Sequence, residues 1–205
     1  MKLYTSRLAP NPRRVRWFMA EKGITDLEVV DIDLRAGVQK SPAYLAEVGL
    51  PVAPALILDD GVALTESLAI CRYLEALYPE PNMFGRDARE AALIEMWTRR
   101  AELLVAHPLM LAVRHGHPAL AVLETQIPAI SETSLAQAGR ALGLFERRLA
   151  DCRFVGGERP TLADGVLFTG LEFARMVRFR LEETHPNLLR WQAELRARPS
   201  AEAGA

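Results

Sequence analysis

Lysine is scarce in this 205-residue chain. Of its 25 cationic residues only Lys2, Lys22 and Lys40 are lysines, and the arginines lie scattered among 26 acids. The formal net charge of −1 argues against a nucleic-acid binder that relies on a global positive field. Cysteine is scarce too: Cys71 and Cys152 are far apart and form neither a C-x-x-C nor a metal-ligand spacing. A disulfide framework is not indicated, so a reducing compartment is the simpler expectation. No apolar run reaches the roughly 18 residues of a membrane span. The start, Met1-Lys2-Leu3-Tyr4-Thr5-Ser6, lacks the apolar block of a signal peptide, and the expectation is a soluble cytoplasmic protein. Repeats and low-complexity stretches are also missing. What remains is 50% hydrophobic and 25% charged, a mixture that can bury a core and excludes wholesale disorder.

The chain has two halves with different grammar. Up to residue 78 strand and helix signals alternate. Lys2 to Thr5 predicts a short strand, and Ala9-Pro10-Asn11-Pro12 a turn into a helix capped by Asn11 and ended by Gly23. Leu27 to Leu34 alternates like a strand, and Pro42 to Glu47 predicts a weak helix. Ala55 to Leu58 and Val62 to Leu64 flank Asp59-Asp60-Gly61, a hairpin signal. Thr65 is the expected cap of a helix over Glu66 to Leu77, stopped by Pro79 and Pro81. The predicted order is β-α-β-α-β-β-α over 1–78, followed by a linker at 79–86. Residues 87–205 read as helix throughout. Asp87 to Ala106 has Leu93, Met96, Trp97, Leu103 and Leu104 at its apolar positions, and Ile130 to Leu149 places Leu135, Leu142 and Phe145 inward. Thr161-Leu162-Ala163-Asp164 has the spacing of a capping box, and a last helix follows Pro186.

This arrangement resembles the cytosolic glutathione transferases, and specific segments carry the resemblance. Val52-Ala53-Pro54-Ala55-Leu56 is similar to the family's V-P-x-L segment. Leu64-Thr65-Glu66-Ser67-Leu68-Ala69-Ile70-Cys71-Arg72-Tyr73-Leu74 is similar to its E-S-x-A-I-x-x-Y-L helix start. Phe154-Val155-Gly156-Gly157 with Thr161 to Asp164 resembles its helical-domain cap, and Asn187-Leu188 with Trp191 its closing helix. The resemblance implies a thioredoxin-like α/β domain followed by an all-α domain. It also implies glutathione as co-substrate, no metal, a two-fold homodimer and active sites near the cleft between the halves. Under it Pro54 is expected to be cis, turning the backbone of Ala53 outward to pair with a peptide as an added strand. Ser67 and the start of its helix suit the γ-glutamyl carboxylate, and Glu66 its ammonium group. Both residues are also ordinary choices for a first helical turn.

The thiolate end departs from the family pattern. Where bacterial and related classes most often place a serine, this chain has Ala9, which cannot donate a hydrogen bond. Asn11 is then the candidate donor to the glutathione thiol, with helix capping as its plainer role; Ser6 is a second candidate, and Tyr4 is expected to pack. The family's N-P-x-G-K-V-P reads here Val48-Gly49-Leu50-Pro51-Val52-Ala53-Pro54, so Gln39 or Lys40 is left to reach the glycyl carboxylate. Trp97, Arg100, Leu104 and His107 lie where the family's second-substrate pocket is flanked, at a spacing that core packing also gives. Asp164 and Thr161 are expected to serve the fold rather than the chemistry. His115-Gly116-His117 has no third metal ligand at a recognisable interval, and Arg13, Arg14 and Arg16 are expected mostly to face solvent.

The function implied is addition of the glutathione thiolate to a hydrophobic electrophile. Glutathione-dependent disulfide or peroxide reduction is an alternative, with glutathione itself supplying the thiols. A non-catalytic ligand- or protein-binding member of the fold is another.

Overall fold

The computed structural model describes residues 1–7 and 9–205. They fall into two compact units, Met1–Pro81 with Pro199–Ala205, and Asn82–Arg198.

The first unit is built on a four-stranded sheet in the order β2-β1-β3-β4. The strands are β1 (Lys2–Thr5), β2 (Glu28–Asp31), β3 (Ala55–Ile57) and β4 (Ala63–Leu64). β1 pairs parallel with β2 and antiparallel with β3, and β3 pairs antiparallel with β4 across the Asp59-Asp60-Gly61 turn. The helices are α1 (Pro10–Lys22), α2 (Pro42–Val48) and α3 (Ser67–Leu77). Gly23 ends α1 at φ 67°, a left-handed conformation open to glycine at no steric cost. β2 is shorter than its alternating sequence suggests because only part of that run finds a partner, Lys2 to Thr5.

Three local expectations are corrected. The cap of α1 is Ala9, not Asn11: Pro10 and Pro12, with φ set for a helix, draw the start forward, and the amide of Arg13 donates to the Ala9 carbonyl at 3.0 Å. The cap of α3 is Glu66 rather than Thr65, at φ 63° and ψ 112°, where a non-glycine residue is uncommon. Arg14 is only 2% exposed instead of facing solvent, because α3 packs over it. The end of the chain, expected with the helical half, packs in this unit as a short turn over α1. There the Arg13 guanidinium donates to the Ala201 carbonyl at 2.8 Å and the Ser200 hydroxyl to Glu21.

The second unit contains α4 (Ala88–Ala101), a π-helical segment (Glu102–Ala106), α5 (His107–Gly116), α6 (Pro128–Asp151), α7 (Leu162–Ala174) and α8 (Pro186–Arg196). α7 is its centre, buried without interruption from Leu162 to Leu171. Gly170 permits a close approach there: a Cβ at this position would lie 2.8 Å from the Ala106 Cβ of the π segment. The helix expected to stop at Ala106 continues through that segment into α5, which the sequence did not signal. The inward residues of α4 are Ile94, Trp97, Thr98 and Ala101. Leu93, Leu103 and Leu104 are exposed instead, the latter two because each i→i+5 bond inserts a residue into the turn and breaks the α-helical spacing. On α6, Leu142 and Phe145 are buried while Leu135 is half-buried.

Asp164 ties this unit together. Its fully buried carboxylate accepts from the amides of Val155 at 2.7 Å and Thr161 at 2.9 Å, from the Thr161 hydroxyl at 2.9 Å and from the Trp191 indole at 2.8 Å. Burial pushes the carboxyl up from its ordinary range, against the pull of those four donors. No helix among the described residues is long and apolar enough to cross a membrane.

Candidate active site

Strand directions bring the candidate residues of the first unit to one end of its sheet. β1 leaves the sheet at Thr5, just before α1 begins. β3 enters at Ala55, opposite Tyr4, so Ala53–Pro54 lies at that same end. β4 leaves at Leu64, opposite Leu56, and delivers Glu66 and Ser67 there as well. The parallel strand β2 exits on this side and leads towards Gln39 and Lys40.

The start of α1 is chemically sparse. Its first three positions are Pro10, Asn11 and Pro12, and proline has no N–H. Among them only Asn11 presents a backbone donor at the positive end of the helix. Among the described residues no side chain caps this end at Ala9, and Asn11 itself is half-buried. Ser6, at the exit of β1, is 6% exposed.

The Ala53–Pro54 peptide is cis. The loop before it is held from both sides: the Val52 amide donates to the Leu50 carbonyl at 2.9 Å, and the Tyr44 hydroxyl donates to the Val52 carbonyl. Burial pushes the Tyr44 hydroxyl up to about 12, so it stays a protonated donor at neutral pH. Tyr44 also packs edge-on against Tyr4, with ring centroids 5.0 Å apart. Tyr4 is therefore a packing residue, its hydroxyl donating to Glu47 at 2.5 Å.

At the start of α3, Glu66 is exposed and Ser67 is 4% exposed. The Glu66 carbonyl accepts the first helical bond, from Ile70 at 3.0 Å. The Ser67 hydroxyl accepts from the Arg14 guanidinium at 2.8 Å. One turn along α3, Cys71 is fully buried and its thiol is pushed up to about 12, which leaves almost no thiolate for redox chemistry at neutral pH.

Gln39 and Lys40 separate in character. Gln39 is 6% exposed, and its side-chain amide nitrogen donates to the Leu34 carbonyl at 3.2 Å. The oxygen left over is buried without a hydrogen-bond partner, and an acceptor is the wrong group for a carboxylate. Lys40 is exposed, as is Arg35 earlier in the same loop.

In the second unit, Trp97 is 7% exposed and packs edge-on against Phe145 at 5.7 Å. The guanidinium groups of Arg100 and Arg148 lie 4.8 Å and 5.3 Å from its ring centroid. Trp97 is thus a core residue, whereas Leu104 and His107 are exposed. The H-x-H histidines are engaged locally, His115 Nδ1 accepting from the Ile127 amide at 3.2 Å and His117 Nδ1 from the Ala119 amide at 3.3 Å. Among the described residues no group of three or more His, Cys, Asp or Glu is arranged to hold a metal.

Comparison with known proteins accounts for this arrangement. Residues 3–82 match the family model of the glutathione S-transferase N-terminal domain, and residues 109–199 that of the glutathione S-transferase C-terminal domain. The chain belongs to the glutathione S-transferase family. It is 33% identical to glutathione S-transferase 2 of Saccharomyces cerevisiae, over 98% of this chain and 87% of the yeast protein. It is 31% identical to glutathione S-transferase 3 of Zea mays, over 98% of this chain and 90% of the maize protein. Among solved structures, a glutathione S-transferase domain-containing protein of Marinobacter aquaeolei superposes with a TM-score of 0.92 at 32% identity, over 98% of this chain and 99% of that one. The protein is accordingly a glutathione S-transferase-like enzyme with a thioredoxin-like first domain and a helical second one.

Two residues at this end of the sheet are not evident from the family motifs, Arg14 and Tyr44. Arg14 does carry a signal: it stands one turn before Phe18 on the buried stripe of α1, where a charge needs a partner. Tyr44 carries none, since an aromatic ring on α2 packs equally well without its hydroxyl.

Proposed function

We propose that this enzyme binds glutathione at the sheet end described above and adds its thiolate to a hydrophobic electrophile. The observation that supports this most is the convergence of an outward loop edge at Ala53–Pro54, an uncapped helix start at Ser67 and an uncapped helix start at Pro10, beside Asn11. Each suits one part of the tripeptide. The cysteinyl backbone pairs with Ala53 as an added strand. The γ-glutamyl carboxylate takes the Ser67 hydroxyl and first-turn amides, its ammonium group takes Glu66, and the glycyl carboxylate takes Lys40. The sulfur then lies at α1, where the Asn11 amide groups and the helix end lower the thiol from its ordinary pKa of about 8.5. The thiolate lone pair forms the new S–C bond, and the leaving group departs with the electrons of the bond that breaks.

A cytoplasmic detoxifying role and a two-fold homodimer belong to the same proposal, and sedimentation at micromolar concentration tests the dimer.

Thermal unfolding across a glutathione titration is the decisive experiment. Ligand at 100 times its dissociation constant stabilises the fold by about 2.7 kcal/mol. The expected result is a saturating shift that disappears in Glu66→Ala/Ser67→Ala, with conjugation of a model aryl halide in the parent protein. Binding without turnover would favour the ligand-binding reading, to which Ala9, lacking a side-chain donor, gives its support.

A further inference from the structure

α1 and α3 pack side by side and run in the same direction. Arg14, Phe18 and Lys22 recur once per turn on α1, and Ser67, Cys71 and Glu75 once per turn on α3. The two polar ends of this seam meet. The Arg14 guanidinium donates to the Ser67 hydroxyl at 2.8 Å. Eight residues later on both helices, the Lys22 ammonium lies 2.7 Å from a Glu75 carboxylate oxygen and donates to the Pro81 carbonyl at 2.7 Å. Arg14 is 2% exposed and Ser67 4%, so neither is an ordinary surface contact.

The hydrogen-bond chemistry of this pair has one direction. A guanidinium has donors and no acceptor, whereas a serine hydroxyl has one donor and two acceptor lone pairs. In the Arg14–Ser67 bond the hydroxyl must therefore accept, and its proton is directed away from Arg14. Ser67 is the first residue of α3, so its amide and that of Leu68 belong to the orphan donors of the helix start. A permanently charged group stands one hydrogen bond behind them. We infer that Arg14 is a positioning residue that commits Ser67 to donating outward, and so makes this helix start select a carboxylate over a neutral amide. The inference rests on the proposed glutathione site and names what sets its preference for the γ-glutamyl carboxylate. Helix register does not depend on Arg14 alone, because the Lys22–Glu75 pair holds the same seam two turns away.

Calorimetric titration tests this with glutathione and with its analogue whose γ-glutamyl α-carboxylate is converted to the carboxamide. Arg14→Met and Arg14→Gln should weaken glutathione about tenfold, ~1.4 kcal/mol, and leave the carboxamide analogue nearly unchanged. In a Ser67→Ala background, Arg14→Gln should add less than about twofold, since the proton it orients is gone. Lys22→Met/Glu75→Leu should alter thermal stability yet leave the preference between the two ligands intact. An equal loss for both ligands, an additive loss with Ser67→Ala, or the same lost preference in the Lys22/Glu75 variant would overturn the assignment. Arg14→Lys, whose ammonium likewise donates and cannot accept, should keep the preference; if the neutral Arg14 variants do not fold, Ser67→Ala carries the comparison, and an undiminished preference for the carboxylate in it overturns the assignment. Failure of the parent protein to bind either ligand would instead remove the glutathione reading itself. Parent binding with undiminished preference in the neutral Arg14 variants would remove only the inference about Arg14.

Discussion

Helix starts are treated differently in the two units. In the second unit three of them are closed by carboxylates: Asp87 accepts from the Glu90 amide at 2.8 Å, Asp164 closes α7, and Glu146 reaches from α6 to the start of α8. There Glu146 accepts from the amides of Asn187 and Leu188 at 3.0 Å and 2.9 Å and from the Asn187 side chain at 2.7 Å. In the first unit Ser41 caps the short α2, but α1 and α3 begin at Ala9 and Glu66 without a side-chain cap among the described residues. A helix start closed by its own protein contributes to folding, whereas one left open keeps its amides and partial positive charge available to an anion. The capped starts thus belong to the scaffold; α6 also begins without a side-chain cap, at Ile127, and the two open starts of the first unit are those proposed for glutathione.

The contrast breaks most sharply at Asp164. Asp164→Ala leaves several buried donors without an acceptor and should cost about 3–5 kcal/mol, a fall of roughly 10 °C in thermal midpoint. Activity per folded molecule should survive, and its loss at unchanged stability would turn Asp164 from scaffold into chemistry. At the open end, Asn11→Ala should lower kcat by about 100-fold, the usual cost of removing one oriented donor to a developing or held anion, with little change in glutathione affinity. Equal turnover would leave Asn11 as a first-turn residue only.

Closing the open end deliberately is a subtler change. Ala9 already has the extended conformation of a cap, φ −74° and ψ 130°, so Ala9→Asp should stabilise the protein by about 1 kcal/mol through the Asn11 amide. The added carboxylate should raise the thiol pKa of bound glutathione by about one unit, giving about tenfold slower conjugation at neutral pH that recovers in alkali. A gain in stability without that shift in the pH profile would separate the helix start from the thiolate.

The smallest effect is expected at Glu146. Burial works to raise its carboxyl, but donation from Leu188 and Asn187 outweighs this and holds it below its ordinary 4.5. A lowered acid stabilises the fold above its unfolded value and loses that contribution as pH falls through the folded one. Glu146→Ala should therefore cost about 1 kcal/mol at pH 7, and the gap from the parent should narrow as urea unfolding is repeated below about pH 4.

Much of the scaffold is legible in the sequence because its signals are local. Asp59-Asp60-Gly61 specifies the β3–β4 hairpin, and Thr161 with Asp164 specifies the start of α7. The misplaced starts of α1 and α3 have nearby causes that propensity does not weigh: a proline pair in one, and a non-glycine residue at positive φ in the other. Arg14 shows in the sequence only as a charge on a buried stripe, since its hydrogen-bond partner Ser67 lies 53 residues away. The π segment has no local signature, and without it Leu104 would be counted as an inward residue. The site is therefore legible as a set of motifs, while the residues that orient those motifs emerge only from packing.

The prolines that flank Asn11 have a practical consequence in solution. Pro10 and Pro12 give no amide cross-peak in a proton–nitrogen correlation spectrum, so the first three positions of α1 contribute one backbone amide resonance, that of Asn11. Followed through a titration with glutathione and then with its S-methyl derivative, that single peak becomes a reporter of charge at the sulfur, free of overlap from neighbours on the same turn.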